Sequence, residues 1–197
     1  KAGSAQIECN IARAAGPWQF IGHKAARRLA PQAAGKKRNV TMGDWKLPWA
    51  GGCRCGKLRF EISTPPLLTM ACHCTGCQKM SASAYSLSMA IPDSGFHVTE
   101  GEPVLGGLHD PGLHHWHCDH CKSWVFTEVE PSLGFTNVRP SMLDDFSWFA
   151  PFIESYTSEA LAWAKTGALH SFEEFPAMED YAPLVAEFAE KGARPGR

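Results

Sequence analysis

Seven cysteines at short, fixed spacings constrain this chain more than any other feature. They fall in Cys53-Arg54-Cys55, Cys72-His73-Cys74-Thr75-Gly76-Cys77 and Cys118-Asp119-His120-Cys121. The eighth, Cys9, lies outside the pattern and reads as a free thiol. Cys53/Cys55 and Cys72/Cys74 are too close in sequence to bridge without strain, so a disulfide framework does not fit. Metal ligation in a reducing, cytoplasmic setting does.

Geometry divides the seven into two sets. In an extended segment residues i and i+2 face the same side, so Cys53 and Cys55 can offer both thiolates to one ion, and Gly56 gives the backbone room to turn. Cys118-Asp119-His120-Cys121 is a CxxC turn, the usual two-ligand half of a structural zinc site. Brought together, Cys53, Cys55, Cys118 and Cys121 make a four-thiolate tetrahedral site. Cys72, Cys74 and Cys77 combine both spacings, an extended pair followed by a turn through Thr75-Gly76. Three close ligands leave a fourth position, which is how catalytic zinc differs from structural zinc. From spacing alone two possibilities stand. The position is open to a thiol, which the metal would ionise, or His73, His117 or His120 closes it into a structural cage. His109, His114, His115, His117 and His120 crowd around the CxxC; most read as exposed loop residues, with proton shuttling as the alternative.

Elsewhere the period is mostly two. Leu58, Phe60 and Ile62 share one face of Lys57–Ile62, and Pro65-Pro66 ends that run. Tyr85, Leu87, Met89 and Ile91 alternate with Ser86, Ser88 and Ala90. Residues 123–130 form a third candidate strand. Only the tail turns helical: Leu184, Val185 and Phe188 form a stripe within 179–191, stopped by Gly192. The expected organisation is a zinc domain over 42–192 and a short tail, 193–197. Residues 1–41, basic and Ala/Gly-rich, read as an artificial or disordered extension with Met42 as the natural start. The competing possibility is a mitochondrial-type presequence.

Charge bears on partners. Residues 1–46 carry nine Lys/Arg against two Asp/Glu, net +7, which leaves ten against 18, net −8, for the cysteine-bearing body. An acidic body counts against nucleic acid as the main partner. No apolar run approaches the roughly 18–20 residues that cross a bilayer, so no membrane partner is expected. There is no GxSxG, no phosphate-cradling Gly-rich loop and no HExxH. Asp144-Asp145 and Glu173-Glu174 read as solvated edges. Trp116, Trp124, Trp148 and Trp163 read as core or pocket wall, since no basic groove accompanies them.

Taken together, the motifs resemble the glutathione-dependent formaldehyde-activating enzyme family, also called GFA or CENP-V-like. The resemblance rests on Gly52-Cys53-Arg54-Cys55-Gly56, on Cys72 through Cys77 with Gln78-Lys79, and on Cys118 through Cys121. It extends to Leu143-Asp144-Asp145 and Leu161-Ala162-Trp163, covering roughly 51–181. It implies a mainly β, Mss4-like (β-tent) fold with a short C-terminal helical segment. It implies two zinc ions per chain, structural at Cys53, Cys55, Cys118 and Cys121 and catalytic at Cys72, Cys74 and Cys77. The named activity joins glutathione to formaldehyde to give S-hydroxymethylglutathione. Lys122 and Ala82 depart from the pattern, because each stands where the family commonly has Gly.

The expected function is therefore a zinc-dependent carbon–sulfur lyase-type enzyme with a small thiol such as glutathione as partner. The alternative is a non-catalytic interaction module with two structural zinc sites. A redox protein resembling methionine sulfoxide reductase would need a spare redox cysteine, and only Cys9 is left over.

Overall fold

Apolar residues at every second position build the strands. Leu58, Phe60 and Ile62 are 1%, 2% and 0% exposed, the buried face expected of that run. The computed structural model describes residues 45–196. The expectations for 1–41, Met42 and Cys9 lie outside the described residues. In chain order the elements are β1 (Trp49–Gly52), β2 (Arg59–Ile62), β3 (Leu68–Cys72), α1 (Thr75–Ser81), β4 (Ser86–Pro92), β5 (Phe96–Glu100) and β6 (Pro103–Asp110). They continue as β7 (Leu113–Cys118), β8 (Trp124–Val129), β9 (Phe135–Val138), β10 (Ile153–Ser155), β11 (His170–Ser171) and α2 (Met178–Lys191).

The strands form two sheets, a three-stranded one ordered β1-β2-β5 and an eight-stranded one ordered β11-β10-β3-β4-β9-β8-β7-β6. The larger sheet is antiparallel except where β10 runs parallel to β3 and β11. One core lies between the sheets: Phe60, Ile62 and Phe96 meet Met89, Ile91, Phe126 and Val138. The Phe96 ring lies 5.4 Å from Phe60 and 4.8 Å from Phe126, aromatic contacts that add to simple area burial. A second core joins α2 to the β3/β10 end through Leu68, Ile153, Phe152, Trp45, Leu184 and Phe188.

α2 bears out the stripe read from the sequence, with Leu184 and Phe188 buried and the Gly192 N–H bonded to the Phe188 carbonyl at its end. Beyond it, Arg194 is 2% exposed and stacks over Trp45 at 4.5 Å, so the packed body runs past residue 192. Helix is not confined to the tail, because the segment after Cys74 forms α1. Among the described residues no helix is long and apolar enough to cross a membrane.

Candidate metal centres

Cys53 and Cys55 sit in the turn between β1 and β2. The Cys53 N–H donates to the Leu58 carbonyl at 2.9 Å and the Gly56 N–H to the Cys53 carbonyl at 3.0 Å. The segment is thus a tight turn where an extended one was expected, and Gly56 takes the left-handed φ of +76° that closes it. On the other sheet Cys118 ends β7, and the Lys122 N–H bonds its carbonyl at 2.9 Å to close the CxxC turn. All four sulfurs lie within 4.8 Å of one another, with Cys53–Cys55 at 3.4 Å and Cys55–Cys118 at 3.8 Å. Zinc–sulfur bonds of about 2.3 Å in a tetrahedron put sulfurs about 3.8 Å apart, so the donor set fits zinc. The hydroxyl of Ser123, 3.3 Å from the Cys121 sulfur, holds that thiol down to about 5.

The second group is Cys72, Cys74 and Cys77, again within 4.8 Å of one another, and among the described residues no imidazole nitrogen belongs to it. Cys72 ends β3. Cys74 caps α1, its sulfur accepting from the Cys77 N–H at 3.3 Å, so the turn read through Thr75-Gly76 is the first turn of a helix. Contact with Cys74 and Cys77, reinforced by burial, pushes the Cys72 thiol up. Three thiols this close resist ionising together, and a cation among them removes that conflict.

Neighbouring elements fix the trio. The His73 Nε2 meets the Glu154 carboxylate at 3.1 Å, and the His73 N–H donates to the Ser155 carbonyl at 2.9 Å. Burial alone would raise Glu154, but hydrogen bonds from Ser171, Thr166 and His73 outweigh it and hold the carboxyl below its usual range. The Glu159 carboxylate accepts from the Thr75 N–H at 2.6 Å, at the positive end of α1. Gln78 clamps the helix, donating to the carbonyls of His73 at 2.6 Å and Glu159 at 3.0 Å.

The trio borders a buried polar face. Paired residues share a sheet face, and the register sets Leu68, Ala90, Asn137, Thr127, His115 and Gly106 in one row. The pleat places Ser88, Ser86, Arg139 and Cys72 on the same face. Ser86, Ser88, Thr127, His115, His117 and Arg139 are all buried there. α1 covers the face: a Cβ on Gly107 (φ +65°) would lie 2.5 Å from the Met80 sulfur, and one on Gly106 would lie 2.7 Å from His117 Nδ1. A cleft of about 230 Å³ lined by Gly106, Leu113, His114 and His115 adjoins it.

Several expectations for this region are corrected. His115 and His117 are buried strand residues and not exposed loop, while His120 is exposed as expected. Trp163 is 76% exposed and belongs to no core, whereas Trp116 and Trp148 pack against the core. Asp144 lies on an exposed edge as expected, where it also pairs with Arg59 at 2.9 Å. Arg139, Glu154, Glu159 and Gln78 were not singled out for these roles. For His115 and His117 a signal existed, since they share the parity of the buried Leu113.

The family model described as glutathione-dependent formaldehyde-activating enzyme matches residues 48–159, more than half of the chain and all seven clustered cysteines. A crystal structure of a Rhodobacter sphaeroides protein is similar at 18% identity, covering 48% of this chain and 87% of that chain, with a TM-score of 0.40. No curated protein matches.

Proposed function

The chain belongs to the glutathione-dependent formaldehyde-activating enzyme family, and from that premise we propose a zinc-dependent carbon–sulfur lyase-type enzyme acting on a small thiol adduct. The reaction proposed is the joining of glutathione to formaldehyde to give the adduct S-hydroxymethylglutathione. The mainly β, Mss4-like fold goes with the family. The observation that carries the proposal is the trio Cys72, Cys74 and Cys77, grouped with no imidazole among the described residues.

In this proposal Cys53, Cys55, Cys118 and Cys121 hold a structural zinc and the trio holds the working one. Zinc bound there would keep a small thiol ionised at neutral pH, and hence nucleophilic. Gln78 and Glu159 hold α1, and with it Cys77, in register with Cys72. Glu154 fixes His73 so that the flanking cysteines keep their direction. α1 and the buried face beneath it limit water around the sulfurs. In the net reaction the thiol S–H breaks, sulfur bonds to the carbonyl carbon, and the proton ends on the former carbonyl oxygen. Lysis of the adduct is the reverse.

The test begins with elemental analysis of protein purified without chelator, for which two zinc ions per chain are expected. Calorimetry in buffers of different ionisation enthalpy then asks whether glutathione binds with proton release and S-methylglutathione far more weakly. NMR with labelled formaldehyde checks for accelerated adduct formation. If neither thiol ligand binds and no acceleration is seen, the two-structural-site module is the right description.

A further inference from the structure

We infer that Arg139 is the fixed counter-charge of the cysteine trio, a guanidinium built into the sheet that offsets the negative charge left by three thiolates around one divalent cation. The inference rests on reading the trio as a zinc site, and it assigns the residue that lets that site accept a fourth, anionic thiolate.

Arg139 is 8% exposed. Among the described residues no carboxylate lies within ion-pair distance of it. Its Nε is buried without a hydrogen-bond partner, and its Nη2 reaches only the Asn137 carbonyl at 3.3 Å. A buried cation with no acid beside it is costly unless something nearby is negative. The Trp124 ring, 4.0 Å from the guanidinium carbon, offers part of the compensation. A ring quadrupole is not a full charge, however.

Register shows where the missing charge lies. Arg139 follows β9 and shares its face with Ser88 and Ser86 of β4 and with Cys72 of β3. Burial pushes the guanidinium down to about 10 while charge on Cys77 and Cys72 pulls it back up, so it stays cationic at neutral pH. Three thiolates and Zn²⁺ sum to −1. A fourth thiolate would take an uncompensated centre to −2, but with Arg139 the total is −1. One unit charge on the same buried sheet face, in a medium of intermediate dielectric, changes such an equilibrium by roughly ten- to a hundredfold.

The test compares Arg139→Met, which keeps length and apolar volume, with Arg139→Lys, which keeps charge and loses the planar stack. A chromophoric chelator titrates zinc out of each protein. In the Met variant the trio's zinc should be lost at roughly tenfold or more lower chelator concentration, with the four-cysteine zinc unchanged, and the Lys variant should recover most of the difference. Glutathione affinity of the zinc-loaded Met variant should fall by a similar factor while that for S-methylglutathione stays constant. Unchanged trio affinity in Arg139→Met, or equal loss in both variants, would overturn the inference, the latter because shape and not charge would then matter. If the unaltered chain holds one zinc, the zinc reading itself fails, and that result is seen before any variant is made.

Discussion

His73 Nε2 lies 3.1 Å from the Glu154 carboxylate, tying the residue between two candidate ligands to β10 and not to the metal position. Its ring is fully buried and edge-on to Tyr85. His73→Gln should therefore keep the trio's metal and lose stability, by about 1.5–3 kcal/mol, the worth of a hydrogen bond to a charged group. Denaturant melts give the stability, and the sulfur-to-cobalt charge-transfer band of cobalt-loaded protein reports the site. A folded variant without trio metal would make His73 a ligand.

The two cysteine groups should respond differently to loss of one sulfur. Cys53 and Cys118 are 6% and 2% exposed, belong to the inter-sheet core and join a turn of one sheet to a turn of the other. Structural zinc contributes its binding energy directly to folding, so Cys53→Ser and Cys118→Ser should destabilise or unfold the domain. Cys77 stands on a seven-residue helix that Gln78 and Glu159 also hold. Cys77→Ser should stay folded with one zinc fewer. Similar losses of melting temperature in all three variants would make both sites structural.

Ala82 and Lys122, the two departures from the family's common Gly, share one backbone property: φ is +49° at Ala82 and +57° at Lys122. A side chain in the left-handed region costs roughly 1–2 kcal/mol, partly offset because Gly loses more chain entropy on folding. Ala82→Gly and Lys122→Gly should each stabilise by about 0.5–1 kcal/mol. The Lys122–Asp119 ion pair that the second change removes is exposed at both ends and contributes little. Urea midpoints at unchanged slope would measure the gain, and a loss at either position would show that the side chain makes a contact outweighing the strain.

The two cysteine groups were legible in the sequence because ligation would demand thiols at short range, and spacing records such a demand directly. β2, β4, β8 and α2 were legible for the same reason, since their periods are local. Glu154 and Glu159 meet His73 and Thr75 across more than 80 residues, and such pairing leaves no local mark. Ser86 and Ser88 read as the polar side of a strand. They are polar, but α1 covers that side, so polarity did not mean solvent. Arg139 follows a short strand with nothing around it in sequence to set it apart; only the sheet register brings it to the trio's face.

His115 supplies a pH dependence whose sign can be worked out. Burial first, and the nearby Arg139 charge second, lower its imidazole to about 4, against about 6.5 in the unfolded chain. Between these values the unfolded chain binds the proton and the folded one does not. The residue's contribution is therefore complete above pH 6.5 and is lost as pH falls toward 4, by up to about 1.4 kcal/mol per unit. His115→Gln, which can keep the 2.9 Å hydrogen bond to Thr127, should flatten that limb. Urea unfolding at pH 7 and pH 5 on both proteins, with zinc content measured at each pH, isolates the effect, since acid-driven metal loss falls on both alike. Equal destabilisation of the two on acidification would mean that His115 takes up its proton in the folded state as readily as in the unfolded one.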